Sequence, residues 1–215
     1  MYVKDIMVTS ITTTSKDTSV SKALDIMQSN NFHRLPVVDD NNYLIGLLTE
    51  SIIAKNTPND ASSLSIYELN YLLNKLKVED VMIKDVHTIH PDSLLEEAAV
   101  KLRSHDIGCL PVVDDDNKLI GIITQNDIFD AFVDILGYHP VATRYVINIQ
   151  EDKPGIMHEV SKCFAKEGIS ITRLAVYYTD RGIELLVVTN GLKSDSIIKL
   201  LQENGYNVTN VFEIK

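Results

Sequence analysis

The sequence LPVVDDDNKLIGIITQND, residues 110–127, occurs in similar form 75 positions earlier in the chain, and this repetition predicts the architecture. Residues 35–52 read LPVVDDNNYLIGLLTESI. The same register extends without a gap over residues 3–53 and 78–128, in which 19 of 51 positions are identical. Identity of this extent at one fixed spacing indicates an internal duplication.

Each repeat predicts the same order of local structure. A Val-x-Asp-x-Met opening and a short extended piece lead to a helix whose apolar residues recur at helical spacing. Ser93 and Glu96 predict a capping box at the start of this helix in the second repeat, whereas the first repeat begins it at Thr18 or Ser19. Two β-rich runs joined by a polar turn then predict a hairpin. A second helix follows the hairpin, and in the second repeat it ends near Gly137.

The polar turn of the second repeat, Asp114-Asp115-Asp116-Asn117, raises the question of a bound metal ion. An EF-hand calcium loop also needs glycine at its sixth position and glutamate at its twelfth, and both are missing here. Aspartate and asparagine are common in hairpin turns, and the first repeat has a similar turn at the same place. We therefore predict a turn and no metal site.

From Tyr145 onward the pattern changes and predicts four strands and two helices in the order βαββαβ, which is that of a ferredoxin-like sandwich. The predicted fold class is mixed α/β (α+β), with two repeats packed as a pseudo-twofold pair and a small C-terminal domain. The predicted boundaries are residues 1–56 for the first repeat, 57–77 for a linker and helix, 78–138 for the second repeat and 139–215 for the C-terminal domain.

The composition argues against several classes of function. Hydrophobic residues make up 45% of the 215 positions, but no apolar run approaches the ~18 residues of a membrane span, and the N-terminus lacks a signal-peptide core. We therefore expect a cytoplasmic protein without a membrane partner. The formal net charge of -10, with no basic stripe, argues against nucleic acid as a partner. Cys109 and Cys163 lack disulfide or zinc-site spacing and are interpreted as buried thiols.

The motif Gly121-x-x-Thr124-x-x-Asp127 falls at a predicted strand-to-helix junction. There the threonine hydroxyl and the free amides of the helix start can meet an anion, and the aspartate can accept hydrogen bonds from two vicinal hydroxyls. Such a site suits a phosphorylated ribose. The residues equally suit a structural role, because Thr124 is a good N-cap and Asp127 stands where an acid stabilises the helix dipole. The motif alone leaves both interpretations open.

The first repeat differs from the second at the acidic position of this motif. It keeps Gly46 and Thr49 but has Ile52 in place of the aspartate. Isoleucine cannot accept a ribose hydroxyl, which costs about 1–3 kcal/mol, or roughly ten- to a hundredfold in affinity. An isolated basic residue such as Arg34 can still supply a local phosphate site. We therefore predict one good site and not two.

The motifs, repeated in register, resemble a tandem CBS pair (Bateman module) over about residues 1–138. The resemblance implies that the repeats pack through their sheets and that the clefts between them bind a regulatory adenosine ligand, such as AMP, ADP, ATP or S-adenosylmethionine, with no required cofactor. By position it implies that Thr124 contacts the phosphate of the ligand, that Asp127 binds its ribose, and that Val86 and Thr88 form part of the adenine wall. It also implies that His33 and Arg34 of the first repeat reach the phosphate of the ligand that the second repeat holds.

The C-terminal segment is similar to an ACT domain, a regulatory fold that often dimerises and sometimes binds an amino acid. The similarity lies in the βαββαβ order and in a turn whose implied effector contacts are Asp152, Pro154 and Gly155. The family's usual Ile-Asn-Ile after the first helix is Ile169-Ser170-Ile171 here, which bears on amino-acid binding but not on the fold. The order CBS, CBS, ACT resembles acetoin-utilisation proteins, which implies a setting in acetoin or carbon metabolism.

We predict a regulatory protein and not an enzyme, because the sequence contains no nucleophile motif, Walker loop or Cys-His pairing. His87 and His90 are the nearest candidates, but strand alternation places residues three apart on opposite faces. The leading hypothesis is a sensor in which an adenosine ligand fixes the orientation of the repeats and alters how the ACT domain meets a partner. The alternative is a constitutive interaction scaffold with vestigial clefts. A homodimer is expected in either case.

Overall fold

The computed structural model describes residues 1–56, 66–138, 140–180 and 182–214, and for residues 66–70 the backbone alone. Contacts within the chain separate two compact units, Met1–Ile128 and Phe129–Lys215. This division falls inside a helix, ten residues before the boundary that we predicted after residue 138. Most of the predicted linker, residues 57–65, lies outside the described residues.

The first unit contains the two repeats, each with a helix, a two-stranded antiparallel hairpin and a second helix. In the first repeat these are α1 (Val20–Asn30), β1 (Arg34–Val38), β2 (Leu44–Thr49) and α2 (Glu50–Asn56). A connecting helix, α3 (Ile66–Lys75), precedes the second repeat. The second repeat has a short opening helix, α4 (Val78–Val81), and then α5 (Leu95–Ser104), β3 (Cys109–Val113), β4 (Leu119–Thr124) and α6 (Gln125–Ile135).

The helix starts agree only in part with the sequence analysis. Ser19 is the N-cap of α1, and its hydroxyl accepts a hydrogen bond from the backbone N–H of Lys22 at 3.3 Å. The predicted capping box at Ser93 and Glu96 is wrong, because α5 begins one residue later. Its acidic cap is Glu97, whose carboxylate accepts a hydrogen bond from the backbone N–H of Leu94 at 2.9 Å.

The two hairpins have the same register, including the same irregularity near the end of their first strands. Pro36 lies opposite Leu47, and Pro111 lies opposite Ile122 at the equivalent position. Each turn is closed by one aspartate. In the second turn the Asp114 carboxylate accepts hydrogen bonds from the backbone N–H groups of Asp116 and Lys118 at 3.0 and 2.9 Å, which is a usual role of aspartate in a turn.

The two repeats exchange their opening segments. Val8, before the first helix of the first repeat, pairs with Ile122 of the second hairpin, and Ile83 pairs with Leu47 of the first hairpin. The hydrogen bonds of these bridges are 2.9–3.0 Å long. Each opening segment therefore begins against the hairpin of the other repeat.

The glycine at the equivalent position of each hairpin, Gly46 or Gly121, is explained by this exchange. A Cβ atom on Gly121 would stand 2.5 Å from the sulfur of Met7, and one on Gly46 would stand 2.5 Å from the sulfur of Met82. Only a residue without a side chain leaves room for the methionine of the other repeat. The Asp-x-Met openings and the hairpin glycines thus form two equivalent contacts between the repeats.

The first repeat has its core under α1, where the apolar stripe meets the buried face of its hairpin. Its buried members are Val20, Ala23, Met27, Leu35, Val37, Leu48, Ile53, Val78 and Val81. The last two belong to α4, so the opening helix of the second repeat completes the core of the first.

The second unit runs through β5 (Ala142–Ile149), α7 (Ile156–Lys166), β6 (Ile171–Thr179), β7 (Gly182–Asn190), α8 (Asp195–Glu203) and β8 (Asn207–Ile214). The four strands form one antiparallel sheet in the order β6-β7-β5-β8. Its main core includes side chains of β5, β7, α7 and α8: Tyr145, Ile147, Ile149, Ile156, Val160, Cys163, Phe164, Leu185, Val187, Ile197 and Leu201. Among the described residues, no helix is both long and apolar enough to cross a membrane.

Candidate functional site

The first unit contains two cavities at equivalent places, one beside each hairpin. We name them the Thr124 cavity, of about 370 Å³, and the Thr49 cavity, of about 340 Å³. Both fall in the size range of small-molecule sites. The lining of the Thr124 cavity comes from both repeats: Val8, Ser10, Ile11, Thr12, Asn31, Phe32, His33, Arg34, Pro36, Gly108, Cys109, Ile122, Thr124, Gln125, Asn126 and Asp127.

The start of α6 positions Thr124 and Asp127 in the wall of this cavity. One carboxylate oxygen of Asp127, Oδ2, accepts hydrogen bonds from the backbone N–H and the hydroxyl of Thr124, both at 2.7 Å. This bonding caps the helix, as the structural interpretation of the motif predicted. The other oxygen, Oδ1, has no hydrogen-bond partner among the described residues and can still accept hydrogen bonds from a ligand.

Arg34 lies at the junction of the two repeats. Its guanidinium covers Gly108, since a Cβ atom there would stand 2.0 Å from Nη2 and 2.6 Å from Cζ. The side chain is half-buried and forms no hydrogen bond or ion pair with any residue that the structure describes. A half-buried, unpaired guanidinium is a strong candidate for binding an anion such as a phosphate.

His33 stands next to Arg34 but is already paired. Its Nδ1 lies 2.7 Å from Oε2 of Glu50, and both side chains are partly exposed. His33 contributes to the lining of both cavities, whereas Glu50 lines only the Thr49 cavity. Of these two residues, Arg34 is therefore the one whose side chain has no partner among the described residues.

Burial raises the pKa of the Cys109 thiol to about 11, although the nearby Arg34 guanidinium acts in the opposite direction. Cys109 is the equivalent of Arg34 in the second repeat and lines both cavities. Its thiol is therefore neutral at physiological pH, so the second repeat supplies no charge at this position.

The residues of the predicted adenine wall do not belong to the lining of the Thr124 cavity. Val86 lines the Thr49 cavity and not the Thr124 cavity, and Thr88 belongs to neither described lining. The reason is the exchange of opening segments, because Ile83 pairs with the first hairpin and carries Val86 to that side. The Thr124 cavity is instead walled by Ile11 and its neighbour Thr12.

Ile11 and Thr12 were missed by sequence reasoning, although a signal was present. Ile11 is the equivalent of Val86 under the 75-residue shift. Had the exchange been anticipated, the adenine wall would have been assigned to the first repeat. A single sequence gives no local reason to choose one assignment over the other, because the two hairpins are so alike.

The Thr49 cavity lacks the acid of the motif. The Thr49 hydroxyl accepts a hydrogen bond from the backbone N–H of Ile52 at 3.1 Å, but the Ile52 side chain returns none and packs against the core of the first repeat. His87 also lines this cavity and stacks on His105 with ring centroids 3.9 Å apart. Neither ring lies in the lining of the Thr124 cavity.

The second unit has a cavity of about 290 Å³ at the turn before α7. Asp152, Pro154 and Gly155, the three positions of the predicted effector turn, all contribute to its lining. Asp152 accepts a hydrogen bond from the hydroxyl of Tyr178 at 3.0 Å, which raises the pKa of that tyrosine. Gly155 adopts a φ of +100° at the start of α7, a conformation that glycine adopts without strain.

Two interlocked α/β repeats with equivalent cavities define a class of internally duplicated α/β modules. A family model for the CBS domain matches residues 3–57 and 78–134, which together make up more than half of the chain. The chain therefore belongs to the CBS-domain family. The match ends at residue 134, so the resemblance of the C-terminal unit to an ACT domain stays a prediction.

Curated relatives contain the same module in different settings. Homoserine O-acetyltransferase of Methanohalobium evestigatum is 35% identical over 127 residues, which are 59% of this chain. The chain spans only 23% of that enzyme's length. A CBS domain-containing protein of Dictyostelium discoideum is 33% identical over 136 residues, with 63% of this chain and 94% of that protein covered.

Several solved structures match about three fifths of this chain. The CBS pair of protein MJ0100, in complex with 5-methylthioadenosine and S-adenosyl-L-methionine, is 31% identical at a TM-score of 0.51 and covers 61% of this chain and 95% of its own. CBSX2 of Arabidopsis thaliana, in complex with AMP, is 32% identical at a TM-score of 0.50, with 62% and 97% covered. A Vibrio cholerae protein assigned to acetoin utilization (AcuB) is 28% identical at a TM-score of 0.53, with 63% and 93% covered.

Proposed function

We propose that this chain is a regulatory sensor whose Thr124 cavity binds an adenosine-containing ligand, AMP, ADP, ATP or S-adenosylmethionine. The observation that carries the proposal is the pair of opposite charges, Arg34 and Asp127, in the lining of one cavity without an ion pair between them. A ligand with vicinal hydroxyls near one end and a negative charge at the other can meet both groups.

The remaining lining supports the same class of ligand. Ile11 and Ile122 supply apolar surface for a flat base, and Thr124 supplies a hydroxyl beside the carboxylate of Asp127. A mostly apolar cavity with a few convergent polar groups is the usual form of a small-molecule site. Relatives of the same family bind AMP, or S-adenosylmethionine with 5-methylthioadenosine, which supports adenosine as the shared part of the ligand.

Isothermal titration calorimetry with the four ligands tests this proposal. We expect at least one to bind well below millimolar, and mass spectrometry of the purified protein should identify the same compound if it co-purifies. If none of the four binds below millimolar concentration, the sensor proposal is wrong.

We further propose that the C-terminal unit is an ACT-like regulatory domain that receives the ligand signal, pairs with a second copy and acts on a partner in acetoin or carbon metabolism. Its βαββαβ order and the cavity at Asp152, Pro154 and Gly155 support this assignment. Light scattering with and without AMP should show an assembly that changes with the ligand.

A second candidate function is a constitutive interaction scaffold. Large apolar side chains in the second unit favour it, with exposed fractions of 63% for Phe129 and 59% for Phe132. Apolar surface of this kind commonly marks a contact with another protein. A scaffold should assemble identically with and without nucleotide, so the same light-scattering experiment separates the two functions.

A further inference from the structure

Arg34 contributes to the lining of both cavities in the first unit. The guanidinium lies on Gly108, which itself borders both, so the absence of a side chain at Gly108 leaves space for the charge between them. The arginine is thus not tied to one cavity by a protein partner among the described residues.

The second repeat has no matching cation to serve the other cavity. The positions equivalent to His33 and Arg34 are Gly108 and Cys109. The described linings of the two cavities therefore share a single guanidinium, that of Arg34.

The two cavities also differ in the other charges of their described linings. The Thr49 cavity includes three carboxylates, Glu50, Asp85 and Asp106, whereas the Thr124 cavity includes Asp127 alone. A phosphate therefore meets more repulsion in the Thr49 cavity. The same phosphate in the Thr124 cavity would draw the guanidinium away from the Thr49 cavity.

We propose that Arg34 is a single anion-binding group shared by the two cavities, so that each chain binds one phosphorylated ligand at a time, in the Thr124 cavity. This inference rests on the proposed function and adds its ligand class and stoichiometry. Occupation of the Thr124 cavity by a phosphorylated ligand lowers the affinity of the Thr49 cavity for a second one. An uncharged nucleoside does not produce this effect, because it makes no demand on the guanidinium.

Calorimetry with AMP and adenosine as probes tests the sharing. Arg34→Gln should weaken AMP binding by roughly ten- to a hundredfold and change adenosine binding less than about threefold, because only AMP has a charge for the guanidinium. Gly108→Ala should also weaken AMP binding although the positive charge is retained, because the new methyl group displaces the flexible end of Arg34. Arg103→Gln removes an equal charge at an exposed position outside both linings and should leave both affinities unchanged.

The Ile52→Asp variant separates sharing from the missing acid of the first repeat. With a carboxylate restored beside Thr49, adenosine should bind at two sites of similar affinity, whereas the second AMP should bind at least about tenfold more weakly than the first. Adding Arg34→Gln should reduce the difference between the two AMP affinities, and the difference that remains reflects the three carboxylates in the lining of the Thr49 cavity. A thermal melt of each variant checks that it is folded. If Ile52→Asp does not fold, the Arg34→Gln and Gly108→Ala variants still test the sharing of Arg34.

Two results would overturn the sharing while leaving the proposed function intact. One is a wild-type chain that binds two AMP molecules with equal affinity, and the other is an Arg34→Gln variant that loses AMP and adenosine binding equally. If neither probe nor the other adenosine ligands bind the wild type, the proposed function itself fails, and the sharing fails with it.

Discussion

Asp127→Ala is the substitution that best separates the two roles of this carboxylate. The aspartate caps α6 through Oδ2 with two hydrogen bonds of 2.7 Å, and Oδ1 stays available to a ligand. Loss of a cap costs about 0.5–2 kcal/mol of stability. Loss of a charged acceptor for ribose hydroxyls costs about 1–3 kcal/mol of binding, which corresponds to roughly ten- to a hundredfold in affinity.

Calorimetry with AMP and thermal unfolding, both on the full chain, measure the two effects. Asp127→Asn is the first control, because its amide oxygen can keep part of the cap while the charge is removed. Glu97→Ala is the matched control for capping alone. Glu97 accepts a 2.9 Å hydrogen bond at the start of α5 and lines neither cavity, so the variant should lose similar stability and no affinity.

The reasoning is refuted if Asp127→Ala loses stability but binds AMP as the wild type does. In that case the carboxylate is a helix cap only, and the Thr124 cavity has no acidic ligand contact. A loss of affinity that Glu97→Ala shares to the same extent would also count against a direct role, because it would reflect general destabilisation.

Three further predictions concern stability. Gly121→Ala should cost about 1–3 kcal/mol through overpacking, since the new Cβ would stand 2.5 Å from the Met7 sulfur, and adding Met7→Ala should restore part of this loss in chemical denaturation. Burial raises the pKa of Cys109 from 9.0 to about 11 in the folded state, so the folded chain holds the thiol proton more tightly than the unfolded chain does. The resulting contribution to the free energy of unfolding is fully present below pH 9 and is lost as the pH rises towards 11. Between pH 9 and pH 11 the free energy of unfolding of the wild type should therefore fall by roughly 2–3 kcal/mol more than that of Cys109→Ala, as measured by chemical denaturation. The same dependence of this free energy on pH in both proteins would contradict the prediction. Ser19→Ala should lower stability by about 0.5–2 kcal/mol through loss of the α1 cap, whereas Ser19→Asp should not.

Much of the first unit could be predicted from residue patterns alone. Two runs rich in β-branched and other apolar residues on either side of a polar turn specify each hairpin, because they encode a local structure. The same local chemistry predicted the start of α1 at Thr18 or Ser19, and the structure selects Ser19. The start of α5 was misplaced by one residue, because two candidate capping pairs stand side by side. Ser93 with Glu96 and Leu94 with Glu97 have the same spacing, and only the folded helix shows that the second pair caps it.

Residue patterns establish the duplication, the hairpins, the motif at Thr124 and Asp127 and the lack of an acid at Ile52. Which opening segment meets which hairpin is seen only in the folded chain, and so is the presence of Ile11 rather than Val86 in the lining of the Thr124 cavity. Pairing between distant segments depends on strand edges, and these edges are nearly identical in the two repeats. Local pattern cannot distinguish such partners, whereas the packing of Met7 against Gly121 and of Met82 against Gly46 accompanies one specific arrangement.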